Sequence, residues 1–246
     1  MKKVFYVVLF TLMMVFALIG CASPASLSDI NVEYAAMLHE PASPESISDI
    51  GAFLDQNLSK FDEHHADQMV IAFEDYIFAF DRNSPDYMEF LERFEEYISS
   101  ALTGLYEIKI EEQENPAVID NILQKSWPQL CERSLSLELF IRQTNHQIVQ
   151  EEAARIYEHY IRLMLMGVTG TPVFDDGGNF KEDVLHALVE FEVLYPDTAV
   201  SGALREFIAY LAGIDFRIDF ENIEENKAFS DMCSHLVSEA GKRVLH

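Results

Sequence analysis

Apolar positions along this chain recur at spacings of three and four far more often than they alternate. Ile47, Ile50, Leu54, Leu58 and Phe61 form one stripe of an α-helix. Ser43-Pro44-Glu45 precedes them with an N-cap residue, a proline at the first helical position and an acid near the positive end of the helix dipole. Ser84-Pro85-Asp86 repeats that start signal and leads into Tyr87, Leu91, Phe94, Ile98 and Leu102, which predicts a helix ending at Gly104. Asn115-Pro116 and Ser126-Trp127-Pro128 predict two more helix starts. The second runs into the 140s, and residues 151–166 continue or restart it as far as Gly167. Later helices fit 181–194, 199–212 and 226–243.

Two segments, 69–80 (MVIAFEDYIFAF) and 157–166, are apolar nearly all round, which places them at the centre of the fold. The candidate strands are short. Residues 171–180 set turn residues between apolar ones, as a small hairpin would, and 216–220 alternate for five residues. A faint echo links 75–98 with 190–211, each an aromatic-rich helix end, a turn and an amphipathic helix. The pattern predicts an all-α protein, an irregular helical bundle or short α-superhelix of about eight to ten helices with at most one small hairpin.

Composition adds a real core. Eighteen Phe and ten Tyr against one Trp, with 49% apolar residues, exclude a disordered chain. Charge excludes a class of partner. With 42 Asp and Glu against 17 Lys and Arg, the chain cannot neutralise a phosphate backbone, so no nucleic acid is expected. Cys131 and Cys233 are too far apart and too few to read as a disulfide framework, and small buried hydrophobes is the simpler reading.

The N-terminus departs from the helical pattern. Lys2 and Lys3 precede an almost unbroken apolar run from Val4 to Ile19, followed by Gly20 and Cys21. A basic head, an apolar middle and small residues at the junction make a secretory signal. Leu18-Ile19-Gly20-Cys21 resembles the bacterial lipobox. The resemblance implies cleavage before Cys21 and a diacylglycerol in thioether linkage on its sulfur, usually with an N-acyl chain on the new terminus. Residues 1–20 are then a signal peptide, 21–43 the lipidated cysteine, a tether and a first short helix, and 44–246 a single extracytoplasmic domain. Cleavage removes two lysines and no acids, which takes the formal charge from −25 to −27. Such acidity opposes docking on anionic lipid, so the acyl chains must hold the protein to the cell membrane.

Sites of chemistry are sparse. The acid–histidine pairs Asp62-x-x-His65 and Asp183-x-x-His186 carry the shorter acid where di-iron bundles use Glu, and both acids stand where a helix cap is expected. His64 and His65 are adjacent and cannot share a helix face. Asp81, Asn83 and Glu92 suit a calcium loop, but Pro85 and Asp86 break its turn. Asp175-Asp176-Gly177-Gly178-Asn179 is calcium-like in composition and reads more simply as a turn. Arg155, Glu158, His159 and Arg162 cluster on a mostly apolar helix beside Glu151 and Glu152, in the pattern of a surface ion-pair stripe. No nucleophile motif or phosphate-cradling glycine loop is present in the sequence.

The sequence therefore predicts a lipid-anchored binding or scaffolding protein of a bacterial envelope. Its partners are the membrane, through Cys21, and a protein or peptide; no enzymatic activity, cofactor or metal is expected. The alternatives are a transporter-associated solute receptor, or a cation-binding or hydrolytic helical protein working through surface carboxylates.

Overall fold

A computed structural model describes residues 26–81 and 86–246. The chain falls into two compact units with the boundary between Pro85 and Asp86, inside the span read from sequence as one domain. The described residues form ten α-helices and two very short antiparallel strand pairs, an all-α fold. One more hairpin forms than the sequence predicts.

The first unit holds α1 (Leu27–Leu38), α2 (Pro44–Asn57), a 3-10 turn (Leu58–Lys60) and α3 (Glu63–Phe80). Helix α2 packs on both α1 and α3. Its start is the predicted one: the Ser43 side chain accepts from the Ser46 amide and Pro44 opens the helix. The predicted stripe supplies part of the core: Ile50, Leu54 and Leu58 are fully buried, as are Val70 and Phe73 of the apolar α3 and Ile30 of α1. Tyr34 donates to the Met69 carbonyl at 2.6 Å and fixes α1 on α3.

The second unit begins with α4 (Tyr87–Phe94) and α5 (Ser100–Glu114), followed by a hairpin of β1 (Val118–Ile119) and β2 (Ile122–Leu123). Helices α6 (Trp127–Gln143) and α7 (Gln147–Met166) come next, then a hairpin of β3 (Gly167–Val168) and β4 (Thr171–Pro172). Three helices close the chain: α8 (Glu182–Leu194), α9 (Ala199–Gly213) and α10 (Ile223–Leu245). Helix α7 is the axis. It packs along α6 and α10 and buries Tyr157, Tyr160, Ile161, Met164 and Leu165. Helices α8 and α9 pair, α9 lies on α10, and Phe174, in the loop between β4 and α8, meets Phe180, Phe220 and Phe229 edge-on at 5.2, 5.2 and 5.3 Å.

Two local expectations are corrected. The stripe from Tyr87 to Leu102 is not one helix: α4 stops at Phe94, and α5 starts after Ser99, whose hydroxyl accepts from the Leu102 amide at 3.2 Å. Phe94, Ile98 and Leu102 stay buried, so the apolar spacing survives while a serine cap interrupts the backbone. Asn115-Pro116 opens a hairpin instead of a helix. Asp120 and Asn121 take the left-handed backbone, φ 51° and 60°, which suits a tight two-residue hairpin turn and residue types that tolerate it.

Candidate functional site

Helix α5 carries Gly104, Glu107, Ile108, Glu111 and Glu112, at i, i+3, i+4, i+7 and i+8. Helix α6 carries Arg133, Ser136, Leu137 and Phe140, at i, i+3, i+4 and i+7. Each set lies on one helix face. Together with Tyr160 of α7 they line a groove of about 470 Å³, a size typical of ligand sites. The two helices face each other antiparallel, as the pairing of Gly104 with Phe140 and of Glu112 with Arg133 requires.

Both ends are pinned. At one end the Phe140 ring covers Gly104 so closely that a Cβ on residue 104 would stand 3.0 Å from Phe140 Cε2. The helix predicted to stop at this glycine runs through it, and a side chain there would need the Phe140 ring to shift by a few tenths of an ångström. At the other end the Arg133 guanidinium donates to Glu112, to Glu111 at 3.1 Å, to the Tyr160 hydroxyl at 3.0 Å and to the Asn115 carbonyl at 2.8 Å. Tyr160 donates in turn to Glu112, and burial, aided by that carboxylate, raises the phenol above its usual range. Between the ends Leu137 is buried and Ile108 and Phe140 are half-buried, an apolar floor beneath a rim of exposed Glu107, Glu111 and Ser136.

A second cavity of about 390 Å³ lies behind Glu112, lined by Tyr87, Lys109, Gln113, Arg155, Ile156 and His159. Lys109 is buried with its Nζ 5.1 Å from the Tyr87 ring centre and 5.4 Å from that of Tyr106. Burial lowers the His159 imidazole.

Glu138 is a buried polar residue that sequence reading passes over, as it does Arg133, Glu112 and Tyr160 of the groove. It is 2% exposed on α6 and accepts the amides of Ala199 at 2.8 Å and Val200 at 3.1 Å, the first turn of α9. Arg142 pairs with it at 3.0 Å and the Tyr157 hydroxyl donates to it at 3.4 Å. Thr198 caps the Ser201 amide. The free N–H groups of that first turn are thereby accounted for, and Glu138 is a structural clamp. In sequence it looks like any surface glutamate beside an i+4 arginine.

The other sequence-predicted residues are placed as follows. Cys21 lies outside the described residues, as do the residues of the Asp81 loop from 82 to 85. Asp62 caps α3 through the His65 amide at 2.9 Å and also meets the His65 ring at 2.8 Å. Asp183 sits exposed in the first turn of α8 with His186 exposed one turn on. Asp175 is turned into its own loop, accepting the Gly177 and Asn179 amides at 2.8 Å each, and the Asn179 bonds hold its carboxyl below the usual range. Arg155 pairs with Glu152 at 2.7 Å, whereas Glu158 points to α10, where its Oε1 occupies the space a Cβ on Gly241 would take. Arg155 and His159 of that cluster line the second cavity, while Glu158 is turned away to α10. Cys131 and Cys233 are free, buried thiols, each pushed up to about 12 by burial. Among the described residues no three His, Cys, Asp or Glu side chains converge as metal ligands.

No family model, curated protein or solved structure matches this chain.

Proposed function

We propose that this chain is a lipid-anchored, extracytoplasmic binding or scaffolding protein of a bacterial envelope, with Cys21 the anchor and the α5–α6 groove the place where a protein or peptide partner docks. The groove is the observation that carries the reading. It is built from two aligned helix faces and has an apolar floor open to an exposed rim. An apolar cleft rimmed by polar groups is how a helical surface accepts the anchor side chains of another chain. The stretch after Cys21, Ala-Ser-Pro-Ala at 22–25, supports the same reading, because its small and polar composition is that of a linker between a lipidated cysteine and a folded body.

A photo-crosslinking residue at Ser136, on the groove rim, tests this in intact cells against the same residue at Lys227, exposed on α10. One envelope protein, identified by mass, should be joined from position 136 and not from 227. Adducts that are the same from both positions, or none from 136, would remove the groove as a docking site.

A further inference from the structure

The groove has a charge as well as a shape. Its lining holds three carboxylates, Glu107, Glu111 and Glu112, against one guanidinium. Arg133 is spent on its own neighbours: two of those carboxylates, the Tyr160 hydroxyl and the Asn115 carbonyl all take its N–H groups. A ligand anion arriving at that end would have to displace them. A ligand cation meets a different situation, since Glu107 stands exposed on the rim above Ile108, and exposed Glu111, one turn on, holds Arg133 and the Asn115 side-chain amide through Oε1 alone and keeps Oε2 open. The surrounding field has the same sign, from a chain of formal charge −25, and such a field concentrates basic ligands and repels acidic ones.

We infer that the occupant of the α5–α6 groove is a basic amphipathic peptide segment of a partner protein, its apolar side chains seated on Ile108, Leu137 and Phe140 and its Lys or Arg side chains on Glu107 and Glu111. The dimensions agree. From Gly104 to Glu112 the α5 wall is nine residues, whose eight steps at 1.5 Å make roughly 12 Å of helix axis. That length matches about two turns of an incoming helix, enough for two apolar anchors at i and i+4 with basic residues beside them. The inference rests on reading the groove as a docking site and adds the chemistry of what docks.

The test uses the intact chain in nanodiscs of neutral phosphatidylcholine and three fluorescent helical peptides of about 14 residues. All carry the same Leu and Phe anchors at i and i+4; their flanking positions are Lys and Arg, Gln and Ser, or Glu and Asp. Empty nanodiscs correct for peptide held by lipid. The basic peptide should bind about tenfold more tightly than the acidic one, the difference between attractive and repulsive exposed pairs with two carboxylates. Its affinity should fall severalfold between low and high salt as those pairs are screened. The substitution Glu107→Gln, on an exposed position that keeps the helix and leaves the Glu111–Arg133 pair in place, should bring the basic peptide's affinity most of the way to that of the neutral one. Ser136→Trp, which fills the groove from its rim, should abolish binding of the basic peptide.

Neutral or acidic peptides that bind as tightly as the basic one, and are expelled by Ser136→Trp, would overturn the basic class and leave the groove as a docking site. Peptide binding that ignores Ser136→Trp, or no binding of any peptide while the far-ultraviolet spectrum stays helical, would overturn the docking reading and this inference together.

Discussion

At the scale of single residues, the buried acid Glu138 separates what charge does inside this molecule from what it does outside. A carboxylate withdrawn from water is costly unless its lone pairs are taken. Here two backbone amides of α9, a guanidinium and a phenol take them. Glu138→Ala removes one partner and strands the rest, so it should destabilise the chain by about 3–5 kcal/mol. Glu138→Gln keeps one carbonyl oxygen for the amides and should cost clearly less. Arg142→Ala should cost about 1 kcal/mol or below, because Arg142 is 45% exposed and the helix end still faces the carboxylate. Urea denaturation of the three variants gives the order. If Arg142→Ala proves as damaging as Glu138→Ala, the ion pair and not the helix cap is what Glu138 supplies. Exposed pairs such as Lys227 with Asp231 belong to the opposite regime, where solvent screens most of the attraction.

At the scale of elements, the two hairpins of the second unit touch backbone to backbone. The Gly170 amide donates to the Asn121 carbonyl at 2.8 Å, and a Cβ on residue 170 would stand 2.5 Å from that oxygen and 2.8 Å from Ile122 Cγ1. Gly170→Ala should therefore cost about 1–3 kcal/mol through overpacking. Gly213→Ala is the internal control, since nothing lies within 4 Å of the added carbon. It should be neutral or gain up to about 1 kcal/mol by restricting the unfolded chain. Equal thermal shifts for the two would show that the hairpins do not hold each other. These hairpins also mark where the sequence stopped being readable. Helix starts that depend on a local cap, such as Ser43-Pro44 and Ser126-Trp127-Pro128, were legible because cap and helix are neighbours in the chain. Asn115-Pro116 looked like such a start, yet the segment's fate is set by Asp120-Asn121 adopting left-handed backbone and by packing on Gly170, about fifty residues on. Gly104 misled for a similar reason. A glycine reads as a helix stop until Phe140, on another helix, is seen to lie so close that a side chain there would crowd its ring. The groove faces are present in sequence as two stripes of mixed polar and apolar residues, but only the fold sets them opposite each other.

At the scale of the whole molecule, the remaining question is what would hold so acidic a protein at a membrane. No helix among the described residues is long and apolar enough to cross one. The formal charge of −25, which becomes −27 if residues 1–20 are cleaved as proposed, disfavours contact with anionic headgroups. The proposal therefore puts the attachment on the acyl chains at Cys21. Two or three chains, each methylene contributing about 0.8 kcal/mol on burial, hold a protein firmly where one chain would let it exchange. Cells grown with labelled palmitate should yield a labelled mature chain whose mass begins at Cys21. High salt should leave it in the membrane fraction, since no ionic contact is being screened. Cys21→Ser should lose the label and retain residues 1–20, because the sulfur that accepts the diacylglycerol is gone. The retained run from Val4 to Ile19 is apolar and can itself cling to lipid, so fractionation alone does not decide the matter. The decisive readings are the label and the N-terminal mass, and a Cys21→Ser chain that still carries palmitate would place the lipid on another residue. The helical spectrum of the variant should match that of the parent, since the substitution falls in the tether, before the Ser26 cap of α1. Loss of the label together with unchanged helicity assigns anchoring to the first twenty-one residues and leaves binding to the folded units that follow.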